Sequence, residues 1–338
     1  MSNDDSTQKL AKHNEAKSGK DRVKQRPKRK PYRSPQRRLI VGLMQFSILA
    51  YLAMLAVLIV MESRLVYPGA YMDDTGQSGA LTASLLPSGI ADAAQSAVAS
   101  GDPSPQFAHG PRIETVEYES TDGVTIRSRL LERGADKPIL LYFHGNGIKA
   151  AWMDSWITRL SSTLNANVMA AEYRGYDDDV TPTEKGVLAD CFAARDYLCN
   201  RYQVATDEVI LFGESLGGGC AVAVASQGGA KALILERTFD RLIDVAAQVY
   251  PFVPVRWMMR NRFDSMAKLT VYRGPLIVIH GTADTLIPIA HARRLYDSAR
   301  AQPKHFIEVD GLGHMEPLPD PTLREIAATL QQCLKDDS

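Results

Sequence analysis

The chain has 338 residues, of which 45% are hydrophobic and 23% are charged, which excludes a largely disordered protein. The net charge is zero, but residues 1–38 carry 13 Lys and Arg against 4 Asp and Glu. The remaining 300 residues are acidic, with 26 basic against 35 acidic side chains. This asymmetry predicts a basic tail whose role is separate from that of the globular part.

The first 61 residues predict a disordered tail followed by a membrane span. Residues 1–38 are rich in Lys, Arg, Ser and Pro, and Tyr32 is an isolated aromatic, so contact with anionic lipid is favoured over nucleic acid. Residues 39–61 contain no charge and would span about 34 Å as a helix, enough to cross a bilayer. A cleaved signal peptide is the rival interpretation, but the apolar run is too long and residues 61–64 make a poor cleavage site.

The flanking charges predict the orientation of this span. Basic residues crowd its N-terminal side, whereas the other side has Arg64 nearby. The positive-inside rule then leaves residues 1–38 in the cytoplasm and places the C-terminal domain across the membrane, in a periplasm, a lumen or outside the cell. The four cysteines fit an oxidising compartment poorly, because their spacing suggests neither a disulfide nor a metal site.

The rest of the chain predicts a linker and then an α/β domain. Residues 62–111 are assigned to the linker, since residues 71–111 are rich in Gly, Ala, Ser and Pro. In the domain of residues 112–338, a hairpin is expected around Thr121-Asp122-Gly123. Short apolar strands then alternate with helices, which predicts a mostly parallel sheet with helices on both faces. The predicted strands are 138–145, 167–175, 208–215, 232–238, 275–281 and 305–311.

At the end of the strand at residues 208–215 lies the sequence GESLG (residues 213–217), which has the form G-x-S-x-G. A small-residue helix follows, and this context predicts a nucleophile elbow with Ser215 exposed at the top of the sheet. The alternative is a glycine-rich helix start that merely turns or binds an anion. The backbone N–H of Leu216 is one expected oxyanion donor; the second is expected from Asn146, with Gly147 next, in the loop after an earlier strand.

A nucleophilic serine needs a base and an acid, which follow it in the order Ser, acid, His in this architecture. His314 is the expected base, since it lies in a glycine-flanked loop after the last strand. Asp284, after the penultimate strand, is the preferred acid. Asp240 is the alternative acid, and Asp310 lies too close to His314 in sequence.

These motifs resemble the α/β-hydrolase superfamily, and in particular its membrane-anchored branch related to the fungal bud-emergence and mammalian depalmitoylating hydrolases. The matching stretches are SRLVYPGAY, LYFHGNG, EYRGYDDDVTPTEKGVLAD, GESLGGGCAVAVA, LILERTFDRLIDVA, YPFVPVRWMMRNRFDS, VIHGTADTLIP and GLGHM. The resemblance implies that Ser215 is the nucleophile, Asp284 the acid and His314 the base. Glu236 also matches a family position, with a structural role.

One departure from the family pattern is the acidic cluster Asp177-Asp178-Asp179, where relatives more often carry Gly-x-Ser. This cluster is either a solvated loop or a cation site. A second feature is the short insertion of residues 241–274, which leaves room for a helix or two and predicts an open site. Its apolar residues would take an acyl chain, face a bilayer or simply pack: Tyr250, Phe252, Trp257, Met258 and Met259.

The sequence therefore predicts a serine hydrolase that cleaves carboxylic esters or thioesters through an acyl-serine intermediate, without a metal or organic cofactor. An amidase or aminopeptidase with the same triad is an alternative within the enzyme class. A catalytically idle, membrane-anchored binding scaffold is the alternative from another class. The fold alone leaves the substrate open, and the sequence makes no prediction of oligomeric state.

Overall fold

The computed structural model describes residues 35–73, 75, 77 and 112–336. The chain divides into two units, residues 1–53 and residues 54–338, and the α/β domain lies entirely in the second. Residues 1–34 of the predicted basic tail and residues 78–111 of the predicted linker lie outside the described residues.

Helix α1 (Pro35–Val60) contains most of the uncharged run that the sequence predicts to cross a membrane. Its 26 residues correspond to about 39 Å of helix. None of its residues is buried, although nearly all of residues 39–60 are apolar. Among the residues that the structure describes, this is the one helix long and apolar enough to be a candidate membrane span.

The segment after α1 belongs to the folded domain. Helix α2 (Glu62–Val66) and the 3₁₀ turn Pro68–Tyr71 pack on the domain, and the side chain of Tyr67 is fully buried. The hydroxyl of Tyr67 donates to Asn261 Oδ1 at 3.0 Å. The linker that the sequence predicts from residue 62 is therefore wrong for residues 62–72, because their apolar side chains fill space in the core.

The domain is built on one eight-stranded sheet with the order β1-β2-β4-β3-β5-β6-β7-β8. Strands β1 and β2 form the predicted antiparallel hairpin, β2 runs antiparallel to β4, and all the other neighbours are parallel. The strands are β1 (Arg112–Glu119), β2 (Thr125–Glu132), β3 (Ile139–Phe143), β4 (Asn167–Ala171), β5 (Val209–Glu214), β6 (Ala232–Glu236), β7 (Leu276–Gly281) and β8 (Lys304–Val309).

Helices cover both faces of the sheet, as the sequence predicts. Successive strand residues point to opposite faces, so Leu211 packs in one core cluster and Phe212 in the other. Helices α4 (Glu184–Tyr202) and α5 (Leu216–Ala225) contribute to the first cluster, with α9 (Ile289–Ser298). Helices α3 (Asp154–Leu164) and α10 (Asp320–Asp336) contribute to the second.

The carboxyl ends of the strands form the edge that carries the site. Strands β3, β4 and β6 end two to four residues before the predicted limits, so those residues form loops at this edge. Between β6 and β7 lies a short cap of three helices, one more than the sequence predicts at most. These are α6 (Leu242–Val249), α7 (Val255–Met258) and α8 (Ser265–Leu269).

Candidate active site

Ser215 occupies a strained turn between strand β5 and helix α5. Its backbone has φ 52° and ψ −115°, a conformation that non-glycine residues rarely adopt. The flanking glycines make this turn possible: a Cβ on Gly213 would lie 2.2 Å from Gly217 O, and a Cβ on Gly217 would lie 2.0 Å from Phe143 O. Only glycine fits at either position, which explains the G-x-S-x-G pattern.

The structure brings the three predicted side chains together. His314 Nε2 lies 3.1 Å from Ser215 Oγ, and His314 Nδ1 lies 2.7 Å from Asp284 Oδ2. Ser215, Asp284 and His314 come from the turn after β5 and the loops after β7 and β8. They are separated by up to 99 positions in sequence. This arrangement allows a proton to pass from the hydroxyl to the imidazole while the carboxylate orients the ring.

Asp284 lies in an environment that keeps it ionised. Burial alone would raise the pKa of this carboxyl, but hydrogen bonds from His280 and His314 outweigh burial and hold the pKa well below its usual range. The other oxygen, Oδ1, accepts the backbone N–H groups of Leu286 at 3.1 Å and Ile287 at 2.8 Å. The Asp284 carboxylate is thus charged and fixed in orientation.

The alternative acids have other partners. Asp240 Oδ1 lies 2.5 Å from His291 Nδ1, and Arg294 Nε donates to its Oδ2 at 2.6 Å. These contacts outweigh the effect of burial and lower the pKa of Asp240. Because His291 and Arg294 both belong to α9, the same contacts hold α9 against the domain. Asp310 is exposed and accepts from the hydroxyl of Thr282 at 3.0 Å.

The loop expected to supply the second oxyanion donor is tied to the segment that follows α1. The carbonyl of Asn146 accepts the N–H of Gly69 at 3.0 Å and the hydroxyl of Tyr176 at 2.9 Å. The Asn146 side chain donates to the carbonyl of Val66 at 3.2 Å. Asn146 lines the same pocket as Ser215 and Leu216, and the adjacent Gly147 is buried.

Glu172 is buried and contacts both ends of the loop that contains Asn146. This role was not predicted from the sequence. Glu172 Oε1 lies 3.1 Å from His144 Nε2, and its Oε2 accepts the N–H of Ala150 at 2.7 Å. The hydroxyl of Tyr173 donates to the carbonyl of His144 at 2.9 Å. The available signal was a carboxylate directly after an apolar strand, where a buried charge requires partners.

A second unforeseen residue, Arg237, holds the His314 loop. Its Nη2 donates to Glu214 at 2.9 Å and to Glu236 at 2.5 Å. Its Nη1 donates to the carbonyl of Gly313 at 3.2 Å and to the carbonyl of Glu316. Burial raises the pKa of Glu236 to about 7, although the charge of Arg237 opposes this shift. Glu236 is therefore a buried carboxyl that contacts Arg237 beneath the His314 loop.

An apolar cavity of about 140 Å³ opens beside Ser215. Three of the five predicted rim residues line it, namely Tyr250, Met258 and Met259. The other two, Phe252 and Trp257, are 88% and 89% exposed and lie outside the lining. The cap thus supplies part of the apolar wall of the cavity and also places large apolar side chains at the surface.

Comparison with known proteins identifies the family. A family model described as the alpha/beta hydrolase fold matches residues 140–313, just over half of the chain. The chain belongs to the α/β-hydrolase family. It is a hydrolase by this membership, and the fold predicted from its sequence is confirmed.

Relatives of this α/β hydrolase occur in bacteria and in animals. The uncharacterized protein Rv2307c of Mycobacterium tuberculosis is 31% identical over 210 residues, covering 61% of this chain and 74% of that protein. The uncharacterized protein YfhR of Escherichia coli K12 is 30% identical over 223 residues, covering 61% of this chain and 75% of that protein. Alpha/beta hydrolase domain-containing protein 17B of Homo sapiens is 31% identical over 179 residues, with coverage of 53% and 60%.

Solved structures with the same fold include esterases. The acetyl xylan esterase from Paenibacillus sp. R4 superposes with a TM-score of 0.57 at 18% identity, covering 68% of this chain and 86% of that chain. The thermostable carboxylesterase EstE1 from a metagenomic library has a TM-score of 0.54 at 17% identity, with coverage of 72% and 95%. The fold of this hydrolase is therefore esterase-like.

The acidic cluster of this hydrolase closes a loop. Asp178 Oδ1 accepts the N–H of Gly175 at 2.9 Å and the N–H of Val180 at 2.7 Å. Asp177 pairs with Arg127 at 3.4 Å on the surface. Across residues 35–73 and 112–336, no group of three or more His, Cys, Asp or Glu side chains is arranged to hold a metal ion.

Proposed function

We propose that this chain is a membrane-anchored serine hydrolase that cleaves carboxylic esters or thioesters. The observation that carries the proposal is the pair of contacts through His314, 3.1 Å to Ser215 Oγ and 2.7 Å to Asp284 Oδ2. A serine with no role in catalysis would not require the strained backbone of Ser215 or its open cavity.

In the proposed mechanism, Ser215 Oγ attacks the acyl carbon and His314 Nε2 takes its proton. Asp284 accepts a hydrogen bond from the Nδ1–H of His314 and stabilises the imidazolium that forms. As the bond from the acyl carbon to the leaving oxygen or sulfur breaks, the imidazolium protonates that atom, so the leaving group departs as an alcohol or thiol and an acyl-serine remains. Water, deprotonated by the same imidazole, hydrolyses this ester and regenerates the hydroxyl.

The negative oxygen of each tetrahedral intermediate needs fixed donors. We assign the backbone N–H of Leu216 and that of Asn146, with Gly147 as the neighbouring alternative. The assignment is supported by the position of Leu216 at the start of α5 and by the restraints on Asn146 from Gly69 and Tyr176. Loss of one such donor typically costs about 3–4 kcal/mol of transition-state stabilisation.

The membrane anchor is the second part of the proposal. We infer that residues 39–61 span the bilayer with residues 1–38 in the cytoplasm and residues 112–338 on the other side. This topology is supported by the apolar surface of α1 and the basic residues that precede it. A reporter fused after Ser338 should be active outside the cytoplasm; activity confined to the cytoplasm would contradict this orientation.

A fluorophosphonate probe tests the nucleophile directly. The wild-type protein and a Ser226→Ala control should be labelled, because Ser226 merely caps the end of α5 through a bond to Ala223 O. Ser215→Ala should not be labelled and should lose hydrolysis of p-nitrophenyl esters. Absence of labelling in the wild type would contradict catalysis and favour a binding scaffold. Cleavage of peptide amides in preference to esters and thioesters would favour an amidase.

A further inference from the structure

The apolar cavity beside Ser215 is lined in part by the end of helix α1. Leu58 and Ile59, in the last turn of α1, face the cavity together with Leu65 and Val66 of α2. The last turn of α1 and the proposed nucleophile thus line the same apolar cavity. An acyl chain that reaches from Ser215 along this space would contact the last turn of the helix.

The segment that forms this wall is held to the folded domain by hydrogen bonds. Glu62 Oε1 accepts the backbone N–H groups of Arg260 at 2.7 Å and Asn261 at 2.9 Å, and also the Nδ2 of Asn261 at 2.9 Å. Ser63 Oγ donates to the carbonyl of Pro182 at 3.1 Å. Because these bonds hold α2 directly after the span, Leu58 and Ile59 are held within the cavity wall.

The surface next to this wall has the chemistry of a lipid interface. Phe252 and Trp257 are exposed at 88% and 89%, and each directly precedes a cavity residue in sequence, Val253 and Met258 respectively. The guanidinium of Arg256 is largely exposed although it pairs with Asp244. Exposed aromatic side chains beside basic ones are typical of segments that insert at the boundary between headgroups and acyl chains.

The end of the span fixes where this surface must lie. If α1 crosses the bilayer, residues 58–62 lie at the membrane surface, since the apolar run ends there. The cavity that contains Leu58 and Ile59 must then open at the same level. The alternative occupant of the exposed apolar surface is a protein partner, but continuity with a membrane span favours lipid.

We propose that the cavity takes its acyl chain directly from the bilayer, with Phe252 and Trp257 inserted in the lipid surface beside it. The substrate class is then an ester or thioester of a fatty acid that resides in the membrane, long enough to extend from Ser215 to the last turn of α1. This inference rests on the proposed serine hydrolase function and on the proposed anchor. It adds the source of the substrate and the residues that select its length.

A bulky substitution in the cavity wall tests the length selection. The full chain is reconstituted in vesicles of phosphatidylcholine and phosphatidylglycerol, and hydrolysis of 4-methylumbelliferyl palmitate in the bilayer is compared with that of dissolved p-nitrophenyl butyrate. Leu58→Trp should lower the palmitate-to-butyrate ratio by roughly tenfold, because the indole fills the far end of the cavity. The matched control Val57→Trp, at a neighbouring residue that is 49% exposed and outside the lining, should keep the wild-type ratio.

A second measurement tests the membrane contact without relying on turnover. In the Ser215→Ala protein, lipids brominated near the headgroup should quench part of the tryptophan fluorescence. This quenching should disappear when Trp257→Phe is added to the same protein. The double variant Phe252→Ser and Trp257→Ser should reduce the rate on the bilayer ester relative to the dissolved ester by roughly tenfold. The control Val271→Ser, also exposed but outside the cavity lining, should keep the wild-type ratio.

The outcomes separate this inference from the proposed function. If dissolved butyrate is hydrolysed in a Ser215-dependent manner but Leu58→Trp keeps the wild-type ratio, the length selection is wrong and the esterase assignment stands. If brominated lipids leave Trp257 unquenched, the lipid contact is wrong. If the wild type hydrolyses no ester and no fluorophosphonate labels Ser215, the proposed function fails and this inference fails with it.

Discussion

Replacement of Arg237 by Met would test how the His314 loop is held. Arg237 is 4% exposed and connects two carboxylates, Glu214 and Glu236, with two loop carbonyls, Gly313 O and Glu316 O. Methionine keeps an unbranched apolar side chain of similar reach and removes the charge and every donor. The substitution therefore isolates the hydrogen bonds from most of the packing.

The expected loss of stability follows from the charges left behind. Removing one partner of a buried ion pair typically lowers the free energy of unfolding by about 3–5 kcal/mol. We expect a loss of this size for Arg237→Met, which corresponds to a fall in melting temperature on the order of 10 °C for a domain of this length. Arg237→Met combined with Glu236→Gln should recover part of the loss, since one uncompensated carboxylate is gone. The control Arg293→Met breaks an exposed pair with Glu308 and should cost less than about 1 kcal/mol.

The catalytic effect follows from the positions of the two carbonyls on either side of His314. Without Arg237 the loop is less restrained, so the imidazole spends less time within reach of Ser215. A misplacement of about 1 Å can cost up to about 100-fold in rate, so we expect kcat for a p-nitrophenyl ester to fall by about 10- to 100-fold with a smaller change in KM. Unchanged kcat together with a loss of stability below about 1 kcal/mol would refute the assigned role of Arg237.

Three further predictions concern the site and its turn. Asp284→Asn should leave the thermal transition nearly unchanged while kcat for ester hydrolysis falls by about 10³- to 10⁴-fold, and a fall below tenfold would contradict its role as the acid. Because folding raises the pKa of Glu236 from 4.5 to about 7, the free energy of unfolding of the wild type should fall as pH rises between these values. Denaturant titrations should show this loss in the wild type and not in Glu236→Gln. Gly217→Ala should prevent accumulation of folded protein, since its Cβ would overlap Phe143 O, whereas Gly42→Ala, with open space around it, should express normally.

The local features of the fold and of the site could be predicted from sequence. The strands were visible because each is a short run of apolar residues, and β5 appears within a residue of its expected limits at Val209–Glu214. The turn at Ser215 was visible because a steric requirement for glycine leaves a direct mark on neighbouring positions. His314 and Asp284 were found because parallel strands bring their carboxyl ends to one edge, where loop residues meet.

Tertiary structure decided the contacts between residues that are distant in sequence. Asp240 and Asp284 both follow strands at the same edge, and only the paths of the loops determine that Asp284 contacts His314 while Asp240 contacts His291. The bond from Arg237 to the His314 loop depends in the same way on where distant loops meet.

The largest difference between the sequence prediction and the structure concerns the boundary after the candidate membrane span. The sequence was assigned to a linker from residue 62, yet Glu62 contacts Asn261 across 199 positions. Five residues of this stretch line the cavity, namely Leu58, Ile59, Glu62, Leu65 and Val66. By itself the sequence determined the sheet, the strained serine and the candidate span, because periodicity and glycine sterics act over a few residues. Only the folded chain decided which side chains support the site, because burial and hydrogen bonding depend on how segments far apart in sequence pack together.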